Sequence, residues 1–304
     1  MREELSAPRP RSVGWATSID VLPLDTVVER RDGYLVVRSP SNPSHYWGNF
    51  LLFDDPPRDG DGSRWEALLA ETFGDEPRVR HRTFAWDRTD DDIGAARGEF
   101  VDRGYDLDES VALVARAAQL RPHPRQSNEV AVRALDSADG ADTELWDAVV
   151  ELQLQGRDAG HDEDAFRAFS RQRLDDLRAL FRRGRGAWYV ALDRTTGTVV
   201  GSCGIVATAG RGRFQAVDTA LPFRRRGICS RLVVEAAHLS AAEYGVTRLV
   251  IVADRHYHAL GLYESLGFER AEQLSGVCHW PRADAAVASP RPPSIRARAP
   301  GERT

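Results

Sequence analysis

Residues 224–232 read Arg-Arg-Arg-Gly-Ile-Cys-Ser-Arg-Leu, and this stretch decides the fold. It follows an alternating run typical of a strand, from Phe214 to Thr219, and opens a segment with apolar residues at helical spacing, from Ile228 to Leu239. A strand that turns through glycine into a helix presents free backbone N–H groups and the positive end of the helix dipole. Four arginines surround this turn, so the stretch predicts a pyrophosphate-binding site.

Length and composition exclude several classes of protein. The 304 residues exceed the usual size of one domain, so we expect two. The net charge of −5 argues against a nucleic-acid partner. No apolar run reaches the roughly 20 residues of a membrane helix, and the N-terminus lacks a signal peptide, so we expect a cytoplasmic protein without a membrane partner. The three cysteines lack metal or redox spacing, which predicts neither a metal site nor a disulfide framework.

Changes in composition divide the chain. Residues 1–12 and 282–304 are rich in Pro, Arg, Ala and Ser, and we expect both to be disordered tails. The segment Arg121-Pro-His-Pro-Arg125 breaks the apolar pattern between two ordered regions. It predicts a boundary between one domain at 13–122 and a second at 126–281.

The second domain has a clear succession of elements. Its patterns predict the order β-α-α-β-β-β-α-β-α-β, at 128–135, 143–155, 162–183, 187–192, 198–207, 213–219, 228–244, 248–253, 259–265 and 269–280. An antiparallel meander therefore leads into a single parallel βαβ unit. This order predicts an α/β (α+β) fold with a mixed, mostly antiparallel sheet flanked by helices, and not a doubly wound fold.

The first domain repeats the second half of that order. Strand, helix, strand and helix patterns lie at 49–53, 63–73, 79–86 and 93–103, and residues 110–117 fit either a further strand or a helix. Its loop between strand and helix, Asp54–Gly62, carries four aspartates that would repel a pyrophosphate. We therefore expect a degenerate copy of the same fold whose own cofactor loop does not bind.

Two motifs carry a resemblance to a known family. The turn Arg224-x-x-Gly227-x-Cys229 resembles the Arg/Gln-x-x-Gly-x-Gly/Ala signature of the GCN5-related N-acetyltransferase (GNAT) family. The stretch Ala259-x-x-Leu-Tyr-Glu-x-x-Gly-Phe268 resembles the penultimate helix of that family and its Gly-Phe exit. The resemblance covers about 128–280. It implies a tandem arrangement with a GNAT-like N-terminal half, acetyl-CoA as cosubstrate, no metal, and acyl transfer to an amine.

The resemblance also implies roles for particular residues. Tyr263 falls where the family usually keeps a tyrosine that protonates the departing thiolate. The turn would hold the pyrophosphate and the end of the preceding strand would bind the pantetheine arm, which gives the cofactor-binding set Val217, Asp218, Thr219, Arg224, Arg225, Arg226, Gly227, Ile228, Cys229 and Ser230. Cys229 replaces the usual small residue, Pro222 is displaced by one position, and His256 stands where many members carry asparagine.

The general base stays open between several groups. His256 has the best titration range and is the catalytic candidate, although a hydrogen-bonded structural histidine is as good an interpretation. Asp218, Asp254 and His258 are further candidates, and an ordered water chain would also serve. The aromatic and polar stretch at 41–49 is either a loop anchored by Trp47 or a wall of the acceptor cleft.

Two functions of different classes fit these patterns. The first is an acetyl-CoA-dependent N-acetyltransferase, a monomer or homodimer, whose acceptor is a small-molecule or peptide amine that attacks the thioester directly. The alternative is a non-catalytic acyl-CoA-binding sensor or interaction protein on the same fold. A nucleotide-binding module is disfavoured because the glycine-rich motifs of that class are missing. The acidic net charge slightly favours a cationic acceptor.

Overall fold

The computed structural model describes residues 8–88, 94, 97–157, 162–256 and 259–280. In the first half, the elements are α1 (Val13–Asp20), β1 (Val27–Arg31), β2 (Tyr34–Arg38), β3 (Phe50–Phe53), α2 (Asp61–Phe73), β4 (Arg82–Trp86), α3 (Arg97–Asp102) and β5 (Asp106–Arg116). In the second half, they are β6 (Val130–Ala134), α4 (Thr143–Gln155), α5 (Glu163–Phe181), β7 (Gly186–Asp193), β8 (Val199–Thr208), β9 (Arg211–Thr219), α6 (Ile228–Tyr244), β10 (Arg248–Asp254), α7 (Leu260–Ser265) and β11 (Glu269–His279). None of these helices combines the length and apolar character that a membrane crossing requires.

All these strands form one sheet of eleven, in the order β1-β2-β3-β4-β11-β5-β10-β9-β8-β7-β6. Two neighbouring pairs are parallel, β3 with β4 and β9 with β10, and the other pairs are antiparallel. Each parallel pair is joined by a crossover helix, α2 or α6, as parallel strands require. The mixed, mostly antiparallel sheet flanked by helices is the predicted fold class.

The two halves exchange their last strands. Each half contains a β-α-β-α-β unit, β3-α2-β4-α3-β5 in the first and β9-α6-β10-α7-β11 in the second. Strand β11 lies between β4 and β5, and β5 lies between β11 and β10. The centre of the sheet is therefore made from both halves. The division at 122–126 into two domains stays a prediction, and it falls between β5 and β6.

The sheet has helices on both faces. Along β5 and β10, Leu113 and Ile251 belong to the core beneath α6 and α7, whereas Ala112 and Val252 pack on the opposite side with Trp15 of α1. Helices α4 and α5 cover the same face as α1 further along the sheet. Alternation of side chains along each strand produces these two cores.

Helix α1 is held by a residue from the far end of the chain. The carboxylate of Glu272, at a bulge in β11, accepts hydrogen bonds from Ser12 Oγ at 2.7 Å and from the Val13 and Gly14 N–H groups at 3.0 Å. A carboxylate is favoured at a helix N-terminus because it satisfies free N–H groups and the helix dipole. Ser12 caps the helix, with its Oγ accepting from the Trp15 N–H.

The sequence patterns locate most elements but miss three. Of residues 110–117, which were compatible with either structure, 110–116 belong to strand β5 and Ala117 begins a short 3-10 helix. Helix α1 and strands β1 and β2 were not predicted. The tail predicted at 1–12 is too long at its C-terminal end, because the Arg11 and Ser12 N–H groups donate to the Asp87 carboxylate. Residues 1–7 and 282–304 of the predicted tails lie outside the described residues.

Candidate functional site

The parallel strands β9 and β10 pair only along their first three residues. Arg211–Arg213 pair with Arg248–Val250, after which β9 continues to Thr219 and β10 to Asp254 without contact in the ladder. The two strands therefore separate in a wedge, which we call the gap. Backbone groups of β9 that face the gap are not used by the sheet, so they are available to a ligand.

A bulge in β9 marks the start of the separation. Between the pairs Ser202–Asp218 and Gly204–Gln215, β9 has one residue more than β8. Ala216 takes up the irregularity with a φ of +40°, a region that residues with a side chain seldom adopt. The bulge turns the following residues of β9, Val217 to Thr219, away from the regular alternation.

A cavity of about 760 Å³ lies where β9 ends and α6 begins. We call it cavity A. It is lined by His123, Arg125, Val217, Asp218, Thr219, Phe223, Arg224, Arg225, Gly227, Ile228, Cys229, Ser230, Ala259, Gly261, Leu262 and Ser265. Nine of the ten residues proposed to bind the cofactor are therefore brought to one place, and the tenth, Arg226, does not line the cavity.

The N-terminus of α6 offers free N–H groups to cavity A. Gly227 precedes the helix with a φ of +74° and provides no side-chain cap. The Arg231 N–H is the first that bonds within the helix, to the Gly227 carbonyl at 3.2 Å. The N–H groups of the three preceding helical residues are thus not used by the helix, and they carry the positive end of its dipole.

Glycine at 227 is required by the fold. A Cβ there would lie 1.9 Å from the Arg125 carbonyl oxygen, and the positive φ disfavours any side chain. The Ser127 N–H donates to the Gly227 carbonyl at 3.2 Å, so the segment joining the two halves packs directly on the turn. His123 and Arg125 of that segment line cavity A, which the sequence patterns did not predict.

The arginines of the turn differ in what they contact. The Arg226 guanidinium pairs with Glu129 at 2.5 Å and lies over the Phe223 ring, 5.0 Å from its centroid. Arg224 Nε donates to the Thr219 carbonyl at 3.2 Å. Arg225, with a φ of +62°, lines cavity A and makes no side-chain hydrogen bond or ion pair within the described parts of the chain. Of the predicted arginine cluster, Arg225 is the guanidinium most available to an anion.

Burial changes the titration of two residues in cavity A. Burial raises the pKa of Asp218 to about 6, with the Arg224 charge acting in the opposite direction, and Asp218 Oδ2 has no hydrogen-bond partner among the described residues. Burial, assisted by the Asp218 charge, also raises the pKa of the Cys229 thiol to about 12. A thiol in that state is a poor nucleophile, which argues against a covalent acyl-enzyme at Cys229.

The two predicted catalytic residues lie outside the lining of cavity A. Tyr263 is buried in α7, with its ring 6.2 Å from that of Phe268. Neighbouring residues of the same helix, including Leu262, do line the cavity. His256 is exposed, and its backbone N–H donates to Asp254 Oδ1 at 2.7 Å. Both catalytic roles stay predictions, and His258 lies outside the described residues.

A second cavity, of about 210 Å³, lies on the opposite face of the sheet. We call it cavity B. It is lined by Trp15, Ser18, Val21, Leu22, His45, Tyr46, Trp47, Asp108, Ser110, Arg173, Arg213, Gln215, Val252, Ala253, Asp254 and Leu274. Cavity B includes residues of β9 and β10 from both sides of the gap, whereas cavity A meets β9 at Val217–Thr219, beyond its paired residues.

The first half of the chain supplies one wall of cavity B. Residues 41–49 were expected to be either a loop anchored by Trp47 or a wall of the acceptor cleft. In the structure they form a loop packed through Trp47, and part of this loop lines cavity B. The Trp47 ring lies 5.1 Å from that of Trp15 and 5.5 Å from that of Phe50. His45 and Tyr46 line the same cavity. Arg173 and Arg213, which also line it, were not identified from sequence.

The equivalent turn in the first half has the same backbone but no gap. Gly60 precedes α2 with a φ of +84°, as Gly227 precedes α6. Strands β3 and β4, however, stay paired to their last residues, Phe53 and Trp86. Asp54 pairs with Arg30 at 2.7 Å, and Asp55, which lines a cavity of about 420 Å³ there, pairs with Arg88 at 3.7 Å. That this copy binds no cofactor stays a prediction.

Comparison with known proteins agrees with this architecture. Residues 146–268 match the model of the acetyltransferase (GNAT) family. No curated protein matches the sequence. Three solved structures are similar in fold over most of their length. They are a functionally unknown conserved protein from Staphylococcus epidermidis (13% identity, 84% of this chain and 94% of that chain, TM-score 0.66), a GCN5-related N-acetyltransferase from Kribbella flavida (14%, 86% and 91%, 0.55), and a tandem GNAT protein from the clavulanic acid biosynthesis pathway (15%, 86% and 87%, 0.54).

The fold and the gap thus agree with a GNAT-like architecture. Residues 146–268 form a domain of the GNAT family, and the solved structures of GNAT proteins share their fold with both halves of the chain. Members of the family are generally acetyltransferases. No group of three or more potential metal ligands occurs among the described residues.

The buried Asp218 carboxyl should make the stability of the free protein depend on pH. Its pKa is raised from 3.8 to about 6 in the folded state. The protonated carboxyl therefore contributes to the stability of the folded protein below pH 4, and this contribution is lost as the pH rises through 6. Asp218→Asn should therefore raise the free energy of unfolding at pH 8 by on the order of 1–3 kcal/mol, and this gain should shrink toward pH 4. Urea denaturation across this range measures it. Asp147→Asn, at an exposed position on α4, is the control, and an equal gain at both pH values would contradict the assignment.

Proposed function

We propose that the chain is an N-acetyltransferase that transfers the acetyl group of acetyl-CoA to a primary amine. One observation carries the proposal. Cavity A joins an uncapped helix N-terminus to the unpaired edge of β9, and cavity B reaches the same gap from the other face of the sheet. A donor and an acceptor held in these two cavities would meet at the gap.

The residues of cavity A fit a CoA diphosphate. Gly227 lets the chain turn into α6 with a positive φ, and the N–H groups of Ile228, Cys229 and Ser230 would donate to phosphate oxygens. Arg225 and Arg125 would add positive charge. The edge of β9 that does not pair with β10, at Val217–Thr219, would hold the pantetheine arm as an additional strand.

The reaction needs a neutral amine and a protonated leaving group. The thioester of acetyl-CoA supplies the activated acyl group. As the new N–C bond forms at the acyl carbon and the C–S bond breaks, one proton of the ammonium passes to water and a second ends on the sulfur. Asp254, at the end of β10 in cavity B, would hold the ammonium and relay its first proton to water, and Tyr263 would give its phenolic proton to sulfur and be reprotonated by the second proton that leaves the nitrogen.

Cavity B favours an enzyme over a binding protein. A sensor of acyl-CoA would need only cavity A. Cavity B adds a second space with charged and aromatic side chains, beside the strand that would carry the acyl arm. Small-molecule amines fit a volume of about 210 Å³ better than a folded protein surface does.

Neighbouring arginines provide a matched test of the cofactor site. Arg225→Ala removes the guanidinium that lines cavity A, whereas Arg226→Ala removes one that is paired with Glu129. We expect acetyl-CoA to bind Arg225→Ala roughly three- to tenfold more weakly than wild type, because one partly exposed charge-assisted contact is lost. Affinity for Arg226→Ala should stay within about twofold, as judged by isothermal titration. A larger loss in Arg226→Ala than in Arg225→Ala would contradict the assigned site.

Tyr263→Phe tests the proton donor. The phenylalanine ring preserves the packing against Phe268, so the fold should be retained. We expect kcat to fall about tenfold to hundredfold, because the leaving thiolate would lose its proton source, while the dissociation constant of acetyl-CoA stays unchanged. Tyr34→Phe, on β2 and distant in the sheet from both cavities, is the control. An unchanged kcat would remove Tyr263 from the mechanism.

A further inference from the structure

Cavity B contains a buried arginine without a counter-charge. Arg213 is 9% exposed, and its Nε and one Nη atom have no hydrogen-bond partner among the described residues. No ion pair of Arg213 occurs within the described parts of the chain. Because the guanidinium stays charged at neutral pH, burying these two nitrogen atoms without a hydrogen-bond partner is costly.

A second arginine lies beside it. Arg173 of α5 donates to the Val21 carbonyl at 2.8 Å and to Gln215 Oε1 at 3.2 Å. Burial lowers the pKa of Arg213 to about 9 and that of Arg173 to about 10, and the charge of Arg173 adds to the effect on Arg213. Two cations are thus held close together in the same cavity wall.

The nearby histidine cannot balance this charge. His45 is buried, and its Nδ1 atom has no partner among the described residues. Burial and the Arg173 charge lower the pKa of His45 well below its usual value, so the ring is neutral. Asp176 pairs with Asn42 Nδ2 and Gln172 Nε2 at 3.0 Å and does not line cavity B. The charge of Asp176 acts on Arg173, but no carboxylate among the described residues forms an ion pair with Arg213, so a ligand carboxylate would supply that partner.

Negative charge lies elsewhere in the same cavity. Asp254 ends β10 and stands opposite Ser110 of β5, and Asp108 lies two residues from Ser110 on the same face of that strand. Asp108 and Asp254 both line cavity B. The cavity thus has arginines at the paired end of β9 and carboxylates at the gap. The rings of Trp15 and Trp47 contact each other and form an apolar part of the cavity wall.

We propose that the acceptor is an amine that also carries a carboxylate, an amino acid in chemical class. Its carboxylate would pair with the Arg213 and Arg173 guanidiniums, whose planar donors match two carboxylate oxygens. Its amine would then point to Asp254 and the gap, where the acetyl group is transferred. The inference rests on the proposed function and narrows the acceptor beyond the slight preference for a cation that the net charge indicates.

The test compares L-amino acids with the amines that lack their carboxylate. Free CoA is measured with wild type and Arg213→Met for pairs such as leucine and 3-methylbutylamine or tryptophan and tryptamine. We expect wild type to use at least one amino acid with a kcat/KM about tenfold to hundredfold above that of its paired amine, mainly through KM. In Arg213→Met this preference should vanish. Arg248→Met, exposed on β10, is the control and should keep it.

The melting temperature of Arg213→Met shows whether a lost preference reflects misfolding. Replacing an unpaired buried charge by an apolar side chain should not lower the melting temperature. Arg213→Lys, which keeps the charge without the planar donors, should recover part of the preference. Equal use of both series by wild type, or a preference that survives in Arg213→Met, would overturn the inference. A preference for ethanolamine phosphate over every amino acid would overturn the assignment to a carboxylate.

Direct binding separates this inference from the proposed function. The same amino acids should raise the melting temperature of wild type, and more than their paired amines do, whether or not CoA is released. Their failure to do so in any pair would overturn the inference even if acetyl-CoA binds and other amines are acetylated. Conversely, stabilisation by amino acids that depends on Arg213, without acetyl-CoA binding, would support the inference and contradict the proposed function.

Discussion

The antiparallel pairing of β5 with β11 is the contact on which the rest of the structure depends. Nine residue pairs join the two strands, and each strand comes from a different half of the chain. This pairing closes both halves, since each supplies the strand that completes the other's β-α-β-α-β unit. It also brings Glu272 to the N-terminus of α1. The first half is thereby fixed next to β9 and β10, where its residues can form part of cavity B.

The same unit occurs twice, but only one copy is open. In the second half, strands β9 and β10 part after Val250. In the first half, the equivalent strands stay paired to their ends and the Asp87 N–H donates to the Phe53 carbonyl at 2.7 Å, which extends the closed edge. Both turns place a glycine with positive φ before the crossover helix. We therefore propose that the shared turn alone does not make a binding site, and that the neighbouring strands must also separate.

Local sequence patterns were sufficient to predict many of the helices and strands of the second half. Apolar spacing located α6 and β10, and the Gly227 turn indicated an anion site because glycine, strand and helix are adjacent in sequence. Helix α1 was missed because it is short and depends on Glu272, far away in the chain. The exchange of β5 and β11 could not be predicted, since each strand's own pattern is the same whichever half it joins. Arg173 and Arg213 were missed because each looks like an ordinary polar position on its own element.

The central claim is that one copy of the turn, the second, binds the cosubstrate in the separated strands. Amide hydrogen exchange with and without acetyl-CoA tests this claim most directly, because it reports backbone N–H groups in both copies of one intact protein. The account predicts slower exchange at Val217–Thr219 and Ile228–Ser230 on addition of acetyl-CoA, with no change at Asp54–Gly62. Protection at Asp54–Gly62, or unchanged exchange at Ile228–Ser230, would contradict it.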